Sequence, residues 1–422
     1  MFGRALFSSF SLIAIFCLGT YYFHVQIRPK DIFDYQKLRA ESHELRSRKA
    51  FEEKPALQMR QGVQKDIWFP ENGERSHFRI VSAESELGIA QKGEKAEANE
   101  ILKQIDCSVE DQLGFLADQA KIDAKALFLE GNICLNHPLG TLFADQLKVE
   151  RVNGKSYSIY LEGEKNKVRI DSTEKNPFSI TAKKAFCDCS FPFSLAACKE
   201  LRFENEVEIK IDPDSENGPV AKGGLAFYQD HTATLYPASS PYCQILRGED
   251  AIDAEKIRFE FGSETVFCEK PNGVLGKESL HFSAQTLLWH KREGTLTLEK
   301  EVRLVQNAHN HLEADQGTIL LNQEGKPTQV TLQGNVRIQE KESYAAADYL
   351  VYNLETKSGM LSSQSSKRVL FWQDGLSLSA EKIKIGPGEG IGNVEGIGDV
   401  RFTLDLEEKN LIQDLISKYA GI

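Results

Sequence analysis

Two neighbouring segments decide the fold: Val330-Thr-Leu-Gln-Gly-Asn-Val-Arg-Ile338, then Tyr344-Ala-Ala-Ala-Asp-Tyr-Leu-Val-Tyr352. In the first, Val330, Leu332, Val336 and Ile338 hold every second position on either side of a Gly-Asn step. Side chains alternate across a strand, so this period-two pattern gives one apolar face. In the second, the apolar phase resumes three and five residues after Ala347, at Leu350 and Tyr352. That slip of one residue is what a bulge or a corner produces.

Both patterns recur outward from this point. Alternation is clearest in Leu127, Leu129, Ile133 and Leu135, in Leu201, Phe203, Val207 and Ile209, in Leu296, Leu298, Val302 and Leu304, and in Val400, Phe402 and Leu404. Gly131-Asn132 and Gly398-Asp399 repeat the step at Gly334-Asn335, where glycine inside a strand marks a tight bend. The Ala-acid or Ala-amide pair appears at Ala144-Asp145, Ala254-Glu255, Ala284-Gln285, Ala314-Asp315, Ala347-Asp348 and Ala380-Glu381, the last five separated by 30, 30, 33 and 33 residues. Such regularity marks an internal repeat of strand pairs. It predicts long strands, each bent at a small residue, that build two facing sheets around one apolar interior. The acid beside each Ala is expected to turn outward or to cap backbone groups at the break, and a catalytic role is not expected of it.

Composition narrows the function classes. The chain has 422 residues, 41% hydrophobic and 27% charged, with 51 Lys+Arg against 62 Asp+Glu and a net charge of -11. It has length for two or three domains and is neither polytopic nor of disordered makeup. The acidic balance and the lack of a basic stripe argue against nucleic acid. Ala5 to Val25 contains no Lys, Arg, Asp or Glu and, at a helical rise, just spans a bilayer. An uncleaved anchor is favoured over a signal peptide because no Ala-x-Ala site follows. Cys17 is discounted for lipidation because Phe16 precedes it. Residues 1–27 are thus read as a transmembrane helix, 28–75 as a helical stalk, 76–240 and 241–405 as two β halves or domains, and 406–422 as a short amphipathic helix carrying Leu411, Ile412, Leu415, Ile416 and Tyr419.

The segments 330–338 and 344–352 resemble the OstA-like domain of the lipopolysaccharide-transport family that includes LptA and LptC. Leu127 to Val149 repeats the resemblance, as do Leu296 to Leu321 and, more loosely, Leu376 to Leu404. It extends over roughly residues 120 to 405 and is sharp in the second half. The resemblance implies a mainly β protein, an antiparallel β-jellyroll folded like a taco, whose apolar groove holds acyl chains. It implies joining to other jellyrolls of the family by edge-strand pairing, as part of a bridge that carries lipopolysaccharide or a similar amphipathic lipid from the inner to the outer membrane. It also implies a single-pass inner-membrane protein with its large domain in the periplasm. An anchor followed by such a domain is similar to LptC, at greater length. The groove would be lined by Leu127, Leu129, Ile133, Leu135, Phe203, Val207, Ile209, Leu296, Leu298, Val302, Leu304, Val330, Leu332, Val336, Ile338, Val400 and Phe402.

The same residues also suit an anchored β-repeat scaffold or adhesion protein with a closed core, and sequence does not separate a filled sandwich from a lined groove. An enzyme is the least favoured reading, since no phosphate loop, nucleophile elbow or zinc-protease motif occurs. No cofactor or metal is expected. Cys187, Cys189 and Cys198, with Cys107, Cys134, Cys243 and Cys268, suit one or two disulfides better than zinc. His309-x-His311, with His281 and His290, is a weak metal candidate. Lys256, Arg258, Lys382, Lys384 and Arg401 are candidates to meet lipid phosphates at the groove mouth.

Overall fold

A computed structural model describes residues 56–71, 74–92, 95–109, 113–122, 126–137, 140–153, 156–172, 176–190, 198–215, 218–276, 280–306, 310–364, 367–373, 375–387 and 393–404. Thirty strands and no helix lie among them. None of the described residues forms a helix able to cross a membrane. The expected anchor at 1–27, the first part of the stalk and the helix at 406–422 fall outside the described residues.

Six long strands come first: β1 (Ala56–Glu71), β2 (Glu74–Lys92), β3 (Lys95–Val109), β4 (Leu113–Ile122), β5 (Ala126–His137) and β6 (Gly140–Asn153). The stalk expected to run to residue 75 is therefore strand over Ala56–Glu71 and again from Glu74. The reason is in the chain: Leu57, Met59, Val63, Ile67 and Phe69 keep a period of two, which outweighs the loose helical spacing that ends at Leu57. Short strands follow, β7 (Ser156–Glu162), β8 (Val168–Ser172), β9 (Phe178–Ala182) and β10 (Lys184–Ser190), then the long β11 (Cys198–Ile211) and β12 (Val220–Gln229). Eight more short strands are β13 (Thr232–Tyr236), β14 (Cys243–Arg247), β15 (Asp250–Ala254), β16 (Lys256–Glu260), β17 (Thr265–Glu269), β18 (Asn272–Leu275), β19 (Leu280–Ser283) and β20 (Thr286–His290). Four long strands, β21 (Thr295–Gln306), β22 (Asn310–Leu321), β23 (Pro327–Glu340) and β24 (Ser343–Asn353), precede the last short ones. These are β25 (Ser358–Ser362), β26 (Val369–Gln373), β27 (Leu376–Ala380), β28 (Lys382–Ile385), β29 (Val394–Ile397) and β30 (Arg401–Leu404).

Met59–Ser85 and Ile101–Ile422 belong to one compact unit, while Met1–Gln58 and Glu86–Glu100 belong to a second. Within the larger unit the pairing is antiparallel and follows two walls. The first wall runs through β7, β10, β13, β16, β17, β20, β25, β28 and β29. The second runs through β8, β9, β14, β15, β18, β19, β26, β27 and β30. Long strands belong to both: β11 pairs with β10 through its first half and with β9 through its second, and β21 pairs with β20 and then β19. Ten strands, β12, β13, β16, β17, β20, β21, β19, β18, β15 and β14, thereby close into a ring, an antiparallel barrel. The ladder is unbroken across residue 240, from β12 to β14 and from β13 to β16.

Each passage from wall to wall is a corner with its own local chemistry. Register shifts fall between Glu130 and Ile133, Glu204 and Val207, Glu299 and Val302, and Gln333 and Val336. Two successive residues take left-handed conformations at each, including Gly334 at φ 77° and Asn335 at φ 47°. Only glycine enters this region without a steric penalty, and asparagine tolerates it better than most residues. The opposing corners carry the Ala-acid pairs, with Ala144, Ala314 and Ala347 buried. Asn335 Nδ2 donates to Asp315 at 2.8 Å, and Asn132 Nδ2 donates at 2.9 Å to Asp118, the acid of a further pair at Ala117-Asp118. Asp145 accepts the Lys165 and Asn166 backbone N–H groups at 2.6 and 2.8 Å. Backbone bonds stitch the same edge, from Gly163 to Lys183, from Lys183 to Asn205 and from Lys270 to Gln285.

Inside, one cluster of buried side chains runs from Ile80 and Leu102 to Ile383 and Ile385. It is continuous because every rung contributes inward residues in matching rows, such as Leu287, Leu298, Gly317 and Leu332.

Two predictions follow from the corners. Gly334→Ala adds a Cβ 2.6 Å from the Asp315 carboxylate at a left-handed position, and should cost about 1–2 kcal/mol in urea unfolding. At Asp145 desolvation is the largest single influence and would raise the pKa, but the Asn166 and Lys165 donors together outweigh it and hold the carboxyl below its ordinary value. A depressed folded pKa contributes stability that is fully present above about pH 3.9 and is lost as pH falls through the folded value. Asp145→Ala should therefore lower the urea midpoint at pH 7, with the gap to the native protein narrowing on acidification.

Candidate functional site at the mouth of the two walls

Opposite the corners, the hairpin turns of the two walls face each other and form a mouth. Turns of the second wall include Asn176, the 212–219 turn between β11 and β12, and Gly248-Glu249. Turns of the first wall include 261–264, 291–294 and 322–326. A cleft of about 1100 Å³ lies over them, lined among others by Asp212, Arg247, Asp250, Trp289, Lys291 and Glu355.

Among the described residues three bonds cross this mouth. Asn176 Nδ2 donates to the Phe261 carbonyl at 3.1 Å, Lys291 pairs with Asp212, and Arg247 donates to the Gly325 carbonyl at 2.9 Å. They join residues 85, 79 and 78 positions apart, so each second-wall turn meets the first-wall turn at a constant offset along the stack. Phe178 adds an apolar contact, its ring stacked on Phe261 at 3.7 Å between centroids.

Arg247 is the most elaborately held of these groups. Its Nε and Nη2 reach one oxygen of Asp250 at 3.0 and 2.6 Å, and its guanidinium lies over the Trp289 ring at 5.2 Å. The other Asp250 oxygen accepts the Gly276 N–H at 2.8 Å. One ion pair thus ties three turns, and both partners are less than a fifth exposed (19% and 15%). Gly325, at φ +82°, leaves room for the guanidinium: a Cβ there would sit 2.7 Å from it.

Below the mouth the interior is filled. Voids between the walls measure only about 10, 20 and 40 Å³. The largest of these lies under Leu312, Tyr352 and Leu354, where side chains near the mouth are only partly covered.

Most of the expected groove residues meet in this interior. Leu129, Ile133, Phe203, Val207, Ile209, Leu296, Leu298, Val302, Leu304, Val330, Leu332, Val336 and Ile338 are buried in the common core. Leu127, Leu135 and Val400 pack against it and are partly covered. Phe402 departs from expectation, being 66% exposed although it pairs with buried Leu378. Its strand, β30, pairs with β27, and no other described strand continues the wall beyond it.

The basic residues expected at the mouth are elsewhere. Lys256, Arg258, Lys382 and Lys384 alternate with buried Ile257, Phe259, Ile383 and Ile385 and so face outward. Lys256 pairs with Glu269, Arg258 with Glu260, and Arg401 with Asp399. The cations that do line the mouth, Arg247, Lys291, Arg292 and Lys326, were missed, and the first two make its cross-wall bonds. The only sequence signal of those two is a position in polar hairpin turns, Arg247-Gly-Glu-Asp250 and Lys291-Arg-Glu-Gly294.

Cys107, Cys134, Cys243 and Cys268 are free thiols rather than members of the expected disulfides. Burial pushes Cys243 up to about 12, and burial followed by the Asp106 charge does the same at Cys107, so both stay protonated near neutral pH. Cys189 and Cys198 stand opposite each other in the β10–β11 ladder. His281 and His311 flank Val305 on adjacent strands. No three His, Cys, Asp or Glu side chains gather for a metal among the described residues.

No family model and no curated protein matches the chain. Arg247→Met keeps an apolar stem over Trp289 and deletes the hydrogen-bonded fork, so unfolding should show a loss of about 1–3 kcal/mol. Gly325→Ala should produce a comparable loss by displacing the same guanidinium, and the double variant should then lose less than the two singles added together.

Proposed function

We propose that this protein binds an amphipathic lipid, with acyl chains held between the two walls and the polar head at the mouth. In its fullest form the proposal is a membrane-anchored periplasmic component of a bridge that carries lipopolysaccharide or a similar lipid from inner to outer membrane. The observation that carries it is the unbroken apolar interior from Ile80 to Ile385, with polar turns at its mouth between Asp212 and Glu355. Burial of an acyl chain there gains about 0.8 kcal/mol per CH₂. The two walls, joined firmly at the corners, are read as a jellyroll taco that opens on its other side. Edge strands β29 and β30 supply unpaired backbone for a partner strand of the same family.

A rival reading is an anchored scaffold with a dry core, and the filled interior favours it. Voids of at most about 40 Å³ hold no acyl chain, since pockets for small ligands run to roughly 300–1,000 Å³. Lipid carriage thus requires the walls to part, whereas a scaffold does not.

A photo-crosslinking residue at Leu332 or Val302 separates the two. Both positions are buried on the interior face, so lipid carriage predicts ultraviolet-dependent adducts to lipid. Crosslinks to protein alone, from these and the other inward positions, would favour the scaffold.

A further inference from the structure

The geometry points to the three cross-mouth bonds as a gate: the walls hinge at the corner edge, and the Asn176–Phe261, Asp212–Lys291 and Arg247–Gly325 latches must release before an acyl chain passes between them. This rests on reading the interior as a lipid site. The two long edges of the stack are built differently. Corners are covalently continuous and stitched rung to rung by backbone hydrogen bonds and by the Asn132–Asp118 and Asn335–Asp315 pairs. Among the described residues no strand crosses the mouth, and the bonds over it are made by the side chains of Asn176, Lys291 with Asp212, and Arg247. A side-chain latch opens by rotamer change at modest cost, whereas parting a corner breaks a ladder.

The latches stand in the path of a chain. Each spans from a second-wall turn to a first-wall turn, and Leu275, Trp289 and Leu321 line the small void just beneath Arg247. The filled interior then describes the closed state. Opening exposes apolar rows that only an incoming chain re-covers, so occupancy and opening are coupled.

The test uses the purified full chain and cis-parinaric acid, an acyl probe that brightens on burial. Asp212→Cys with Lys291→Cys is stapled across the mouth by a disulfide-containing bis-maleimide, which reductant cleaves; the native protein given the same reagent is the control. The gate predicts that stapling slows probe uptake to less than about a tenth and that cleavage restores it. Asp212→Ala with Arg247→Met should take up and release probe at least about threefold faster than the native chain, with circular dichroism showing retained strand. Unchanged uptake by the stapled protein would overturn the gate and leave lipid binding standing. Failure of every form, unlatched variant included, to brighten the probe would overturn lipid binding itself.

Discussion

A strand of L-residues does not turn a sharp corner while keeping its apolar face inward, because the alternation of side chains puts the next inward residue on the wrong side. At its long-strand corners the chain meets this constraint in two ways: two successive left-handed residues on one strand, which keep the apolar phase, and a one-residue slip beside a small Ala on the strand opposite. The cost is about 1–2 kcal/mol for each left-handed residue other than glycine. Asn205, Glu206, Lys300 and Glu301 all bear it. The bonds that line the corner edge offset that strain, and the flat stacking of both walls on a single core depends on their doing so.

Legibility followed chemistry. The corners at Gly131-Asn132 and Gly334-Asn335 could be read because glycine and asparagine favour the conformation required. Those at Asn205-Glu206 and Lys300-Glu301 contain no glycine, and Glu206, Lys300 and Glu301 carry no such preference; the turn is imposed by neighbours, as Lys183 donates to the Asn205 carbonyl and Gln285 to that of Lys300. The interior rows were legible almost residue by residue, because burial on one face enforces period two. Phe402 obeys the same period and lies exposed, which no local pattern foretells.

The mouth is a different kind of feature. Asn176 and Phe261, Asp212 and Lys291, and Arg247 and Gly325 are 78 to 85 residues apart. Nothing in the turn sequences says which turn will lie opposite, because that depends on the cumulative skew of the walls. The expectation that Lys256, Arg258, Lys382 and Lys384 would form a basic rim erred for a related reason. A cation alternating with core residues must face away from the core, and the rim is built by turns, where alternation has ended.

Because strands pair almost entirely with close neighbours along the chain, this architecture is quasi-one-dimensional. Its length is a count of rungs, and adding or removing a pair alters two interfaces without redesigning any other. Cooperativity is then nearest-neighbour in character. Among the described residues the last strand, β30, pairs on one side alone, and Phe402 on it is uncovered. Such a molecule loses order progressively from its tips, and a binding partner that caps a tip would stiffen the whole array from a distance.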